Sequence, residues 1–345
     1  MAETEQRTRT KREASIVDVA REAGVSAQTV SRVAGGKDVV KAETRERVLA
    51  TMQKLGYRPN SAARALKSGR FRTIGVVMSG LGSYGNMHSL EGISNAAAKA
   101  GYSVILTVLG SITQAGFTGA FARFSEQAVD GVIAILEAHE LAGRDVILPT
   151  GFPVVVIDSR ESDSYPVVDA DQQQGARLAT EHLLDLGHST VWHVRGPLEA
   201  YSADRRAVAW QQVLEERGCP VPEVQQGDWS AMSGYEIGLA LAKNSEVTAV
   251  FAANDQMALG LLRAFAESGR RVPADISIVG FDDMAEAKNF LPPLTTIRQH
   301  FDQVGTQAVD DLIAAIDGSP RSGATRIPTE LIPRASTAPP PSAMS

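Results

Sequence analysis

From Ile16 onward the apolar residues Ile16, Val19, Ala20 and Ala23 recur at the three- and four-residue spacing of one helix face, and Gly24 closes the run. Ser15 stands before it as an N-cap. Val25 then seats a tight turn, Ser26 can cap a second helix, and Val30 and Val33 give that helix an apolar face while Ala27, Gln28, Ser31 and Arg32 point outward. A third helix is expected over 43–55, capped by Lys41-Ala42, striped by Val48, Met52 and Leu55 and ended by Gly56. Beyond Arg72 the period changes. Short β-branched runs at 73–79, 103–109, 131–136 and 153–158 alternate with stretches of helical period, and strands at 191–194, 248–253 and 276–281 continue the alternation around helices over 171–186, 201–216 and 255–268. Repeated βα units predict parallel sheets covered by helices. Roughly 260 residues of them are too many for one small sheet and predict two lobes. The fold class is therefore an all-α helix-turn-helix head joined to a two-lobed α/β core.

Charge divides the chain at the same place. Residues 1–70 hold fifteen Lys and Arg against eight Asp and Glu, a net +7, which leaves −13 for the rest of a chain whose total is −6. A basic head on an acidic body fits a head that meets a polyanion. The polar start of the chain offers no apolar segment for a signal peptide, and no run of eighteen apolar residues occurs, so a cytoplasmic protein without a membrane partner is expected. Cys219, the single cysteine, cannot form an internal disulfide. His182, His188 and His193 have no metal-site spacing; they are expected to be structural or exposed, and neither metal nor cofactor is expected.

A second helix that begins with small and amide residues and carries an arginine one turn on suits entry into a major groove, because Gln pairs with adenine edges and Arg with guanine. Ala27, Gln28 and Arg32 are the candidate base readers; Ser15, Ser26, Thr29, Ser31 and Thr44 are candidate phosphate contacts. With DVAREAGVSAQTVSRV and, further on, TRERVLATMQKLGYRPNSAARALKSGR, the head and the segment after it resemble the LacI family of transcription regulators, although Gly35 replaces the asparagine usual after the recognition helix. The resemblance makes NSAARAL, 60–66, a hinge helix that folds on operator DNA and inserts Leu66 into the minor groove, with Asn60 and Ala63 as further contacts. Such a segment is too short to be a stable helix alone in water.

In the core, polar residues end several strands, where ligands sit in open α/β sheets: Asp158, Asn254, Asp255 and Asp282. The LacI-family resemblance implies a periplasmic-binding-protein-like core and adds Ser79, Arg206, Trp229 and Gln299 to an effector site. Carboxylates, amides and a guanidinium can bond vicinal hydroxyls, and an indole can stack on a sugar's apolar face. Asp282 is the expected partner of a buried Arg206, and Asp255, which begins a helix, is assigned to capping. The stretch GDWSAMSG points within the family to glycosides, with a β-galactoside as the leading ligand.

Other classes are weaker. Gly80-Leu-Gly82-Ser-Tyr-Gly85 matches the dinucleotide fingerprint G-x-G-x-x-G, yet the acid required some twenty positions on is missing, since no Asp or Glu lies between Glu91 and Glu126. These glycines are expected to shape a loop facing the cleft. No hydrolase nucleophile elbow is present, so no catalytic residues and no enzyme activity are expected. A sugar-binding protein for transport would share the core but not the basic head.

The expected organisation is a disordered basic arm over 1–14, a DNA-binding domain over 15–59, a hinge over 60–71 and a core over 72–334. Lobe 1 takes about 72–170 and 300–326, and lobe 2 about 171–297 and 327–334. The Pro-, Ala- and Ser-rich end, 335–345, reads as a disordered tail without heptads. The resemblance then implies a homodimer, with the helix near Met87 in its surface, that releases a palindromic operator when sugar binds.

Overall fold

A computed structural model describes residues 14–35, 39–57, 69–110, 113–136, 152–160 and 165–341. The chain divides into two units, 1–71 and 72–345. In the first, Ser15 and Asp18 close a reciprocal capping box at the start of helix α1 (Ile16–Ala23), and Ser26 caps helix α2 (Ala27–Ala34) by accepting from the Thr29 N–H. Gly24 and Gly56 end α1 and helix α3 (Ala42–Leu55) in the left-handed conformation. Helix α3 starts at Lys41 without a side-chain cap, so the cap expected from Lys41-Ala42 is absent. Val19, Val30, Val33, Val48 and Met52 meet in one apolar core, and Arg47 Nε donates to the Ala23 carbonyl at 3.1 Å, tying α3 to the end of α1. The arm through residue 13 and the hinge residues Asn60, Ala63 and Leu66 lie outside the described residues.

The second unit holds two six-stranded sheets. The first is formed by β1 (Thr73–Met78), β2 (Ser103–Val108), β3 (Gly131–Ile135), β4 (Val154–Ile157), β5 (Val167–Ala170) and β11 (Ala324–Ile327), in the order β11-β5-β4-β3-β1-β2, and all its pairs are parallel. Helices α4 (Tyr84–Lys99) and α10 (Phe301–Ile316) pack on one face and α5 (Gln114–Glu126) on the other. The second sheet contains β6 (Trp192–Arg195), β7 (Gln225–Gln226), β8 (Ala249–Ala252), β9 (Ser277–Asp282), β10 (Thr295–Arg298) and β12 (Glu330–Ile332), in the order β12-β10-β9-β8-β6-β7. Of these strands only β12 runs antiparallel. Helices α6 (Gln172–Asp185) and α7 (Tyr201–Glu216) cover one face, and α8 (Ala231–Leu241) and α9 (Asp255–Glu267) the other. The central strands are buried along their length, as parallel strands covered on both faces must be. Three crossings join the lobes, between β5 and α6, between β10 and α10, and between β11 and β12. The first two place chain beside the cleft between the lobes.

The end of the chain corrects the expectation of a disordered tail over 335–345, because 335–341 are described and the segment is strapped to the second sheet. Ser336 is fully buried; its hydroxyl accepts from the Thr295 N–H at 2.7 Å and donates to the Ile278 carbonyl at 2.6 Å. The Ile278 N–H donates to the Ser336 carbonyl, and the Ala338 N–H to Ser277 Oγ. His188 lies 3.0 Å from the Ala338 carbonyl and His182 3.0 Å from the Thr337 hydroxyl. His193 is buried, stacked between Trp210 and Phe251, and burial pushes its pKa down to about 3. All three histidines are thus structural. A Pro-rich segment has few donors of its own, and here the sheet and its histidines complete the bonding.

Candidate functional site

On the head, Ala27, Gln28, Ser31 and Arg32 are exposed along one side of α2, opposite the buried Val30 and Val33. Gln28 and Arg32 make no side-chain hydrogen bond among the described residues, which leaves a carboxamide and a guanidinium presented to solvent one turn apart. Ser26 Oγ and Thr29 Oγ1 bond each other at 2.9 Å at the exposed helix start. Ser15 Oγ donates to Asp18 at 2.6 Å within the capping box, and Thr44 is half-buried in the first turn of α3.

In the core, the cleft between the lobes encloses about 670 Å³ including its open mouth. Six of the seven residues expected there, Asp158, Arg206, Trp229, Asn254, Asp282 and Gln299, line it; Ser79, at the end of β1, does not. Of the Gly80–Gly85 motif, Ser83, Tyr84 and Gly85 reach the cleft, with Ser83 capping α4, whereas Gly80 and Gly82 are not in its wall.

Arg206 is buried, its guanidinium 3.8 Å from the centre of the Phe281 ring and 5.5 Å from that of Trp229. Its Nε donates to Gln172 Oε1 at 2.9 Å and its Nη1 to the Ala253 carbonyl. The expected ion pair with Asp282 does not form. Asp282 instead accepts from Gln299 Nε2 at 2.6 Å, and Gln172 Nε2 reaches both Gln299 Oε1 at 3.1 Å and Asp169 Oδ1 at 3.2 Å. Two amides therefore separate the guanidinium from the carboxylates, and attraction to Asp282, Asp158 and Asp169 acts through space against the burial that lowers the Arg206 pKa. Burial raises Asp282 to about 6, a rise limited by Arg206 and by the Gln299 donor, and it raises Asp169 as well. One cation among three carboxylates makes a wall suited to a neutral polyhydroxyl and repellent to a pyrophosphate.

Trp229 is held by backbone. It adopts φ +73°, its carbonyl accepts from Asn254 Nδ2 at 2.9 Å, and its indole lies where a Cβ on Gly196 would sit, so that only glycine fits there. Asn254 Oδ1 accepts from the Met257 N–H at 2.8 Å, which makes Asn254 the cap of α9. The capping role assigned to Asp255 is corrected accordingly: its buried carboxylate accepts from Thr296 Oγ1 at 2.6 Å and the Met284 N–H at 2.8 Å, joining α9 to the sheet. Asp158, Trp229 and Asp282 all have positive φ. Strain in non-glycine residues concentrates at sites the surrounding structure must hold in place.

Sequence reasoning missed Asn86, Ser89, Asp169, Gln172, Ser202 and Phe301 of the same lining. Asp169 and Gln172 flank the first crossing and could have been read from the strand-end run VVDAD; Asn86 and Ser89 carry no local signal.

A family model for bacterial regulatory proteins of the lacI family matches residues 15–60, and one for a periplasmic binding protein-like domain matches 180–337. The chain is 35% identical to the lactose operon repressor of Escherichia coli strain K12 over 328 residues, 94% of this chain and 90% of that one. Among solved structures, a lac repressor dimer bound to operator and the anti-inducer ONPF matches with a TM-score of 0.82 at 34% identity, over 95% of this chain and all of the other. The transcriptional regulator CelR in complex with cellobiose matches with a TM-score of 0.70 at 28% identity, over 94% and 99%.

Proposed function

The chain belongs to the lacI family of bacterial regulatory proteins, and from that premise we propose that it is a dimeric transcription repressor whose grip on a palindromic operator is released by a sugar in the interlobe cleft. The observation that carries this reading is the pairing, in one chain, of an exposed Gln28 and Arg32 on a capped second helix with a cleft built for hydroxyl groups. Gln28, Arg32 and Ala27 read base edges, while Ser26, Thr29, Ser31, Thr44 and the start of α1 at Ser15 meet phosphates. The hinge residues Asn60, Ala63 and Leu66 complete the contact by analogy with the family.

In the cleft, Trp229 stacks on the apolar face of a sugar ring while Asp158, Arg206, Asp282 and Gln299 bond its hydroxyls, and Asn254 acts through the Trp229 carbonyl it holds. A β-galactoside is the leading effector. Ligand draws the lobes together about the three crossings, and the first lobes, next in sequence to the hinge, pass the change to it. A coupling free energy of roughly 1–3 kcal/mol suffices for such a switch.

The test is selection from a randomised DNA pool with the full-length protein, scored by anisotropy. A symmetric site is expected, with Q28A and R32A weakening it and relaxing preference at separate base positions. Absence of any sequence preference would contradict the DNA-reading assignment.

A further inference from the structure

In the first-lobe wall of the cleft, one buried polar atom on Asn86 and one on Asp169 are satisfied by no other described residue. Asn86, the third residue of α4, is 4% exposed; its backbone N–H donates to Ser83 Oγ, but its side-chain Nδ2 has no acceptor. Asp169, at the end of β5, is 5% exposed; Oδ1 accepts from Gln172 and Oδ2 has no donor. Both line the cavity, as does the buried Ser89, and the rings of Tyr84 and Phe301 stand beside them in edge-to-face contact, 6.1 Å apart. A buried donor or acceptor without a partner costs about 1–3 kcal/mol. An alkyl or aryl group seated here would seal these atoms off from water and from any partner. A hydroxylated ring supplies an acceptor to Asn86 and a donor to Asp169, and its apolar face can lie on Tyr84 or Phe301.

Building on the sugar-effector reading, we infer that the first-lobe half of the cleft is a second sugar subsite, in which Asn86 donates to and Asp169 accepts from hydroxyls of a second ring, so that the effector is a disaccharide and not a glycoside with an apolar aglycone. The first ring lies against Trp229 in the other lobe. A ligand bridging the cleft in this way touches both lobes.

Calorimetric titration of the full-length protein tests this with lactose and cellobiose, the methyl β-glycosides of galactose and glucose, and the corresponding phenyl β-glycosides. For the sugar series that binds, the disaccharide is expected to bind at least about tenfold more tightly than the phenyl glycoside, the affinity carried by one satisfied buried group. N86L and N86D should each weaken the disaccharide by about tenfold or more while changing the methyl glycoside by less than about twofold. Retained binding of the methyl glycoside shows that each variant is folded. A phenyl glycoside that binds as tightly as the disaccharide, or Asn86 variants that weaken all ligands equally or none, would overturn the second subsite while leaving the sugar reading intact. If no saccharide binds, both fall.

Discussion

The two lobes share a sheet architecture, yet their cleft walls are organised differently. In the second lobe the wall is bonded before any ligand arrives: Arg206 lies on Phe281 and bonds Gln172, Gln299 holds Asp282, and Asn254 holds the Trp229 loop. The C-terminal strap braces the same sheet from behind through Ser336. In the first lobe Asn86 Nδ2 and Asp169 Oδ2 are buried without partners among the described residues, and the edge strand β2 leaves Leu106 and Val108 exposed. The difference assigns roles. A preorganised wall binds at little reorganisation cost, whereas a wall with unsatisfied groups gains most when ligand reaches it, which draws that lobe toward the other and gives the ligand a differential hold on the closed state.

The largest expected effect comes from removing the charge that organises the second lobe. R206M removes the buried cation that attracts Asp282, Asp158 and Asp169 and should cost about 3–5 kcal/mol in denaturant unfolding, with sugar binding lost; an effect under about 1 kcal/mol would break the claim that this wall depends on Arg206.

Asp282 sharpens the comparison through pH. Its folded pKa of about 6 stands above the ordinary 3.8, so folding takes up a proton between those values and the Asp282 contribution to stability falls as pH rises from about 4 to 6. D282N removes that slope, and its stability relative to wild type should climb across the window by up to about 3 kcal/mol before levelling off. A parallel pair of pH–stability curves would show that Asp282 is not held in a desolvated wall.

S336A strips the strap of a buried hydroxyl that serves both Thr295 and Ile278. A loss of about 1–3 kcal/mol is expected by thermal or urea unfolding, and hydrogen exchange should rise in β9 and β10 before any change in the first sheet. The smallest effect on stability, about 1 kcal/mol, belongs to N254A, which removes the cap of α9. Its informative readout is sugar affinity: freeing the Trp229 carbonyl should weaken binding more than the stability loss alone accounts for.

How much of this was legible depends on the range of the interactions. The capping box at Ser15, the Ser26 cap, the glycine stops and the outward face of α2 are set within a few residues and could be read directly. Asp158, Asp282 and Asn254 were legible as strand-end positions, because parallel sheets collect ligands there. Which of them face a ligand and which hold the frame was not legible: Asn254 makes the cap expected of Asp255 because the N-cap falls one residue earlier, Asp255 bonds Thr296 and Met284, and Arg206 meets amides where a carboxylate was expected. Asn86 becomes a neighbour of the cleft only once α4 is assembled, whereas Asp169 stood at a strand end that the run VVDAD marks. The strap was hidden for a compositional reason, since Pro, Ala and Ser carry no periodicity and its order comes from groups more than forty residues away.

The most direct measurement is anisotropy of the full-length protein on its selected palindrome, titrated with the saccharide that calorimetry identifies. The account predicts that the saccharide lowers operator affinity by roughly 5–150-fold, the range of a 1–3 kcal/mol coupling, and that R206M on a DNA-bound head shows no release. Operator binding unchanged or strengthened at saturating saccharide would contradict release by ligand.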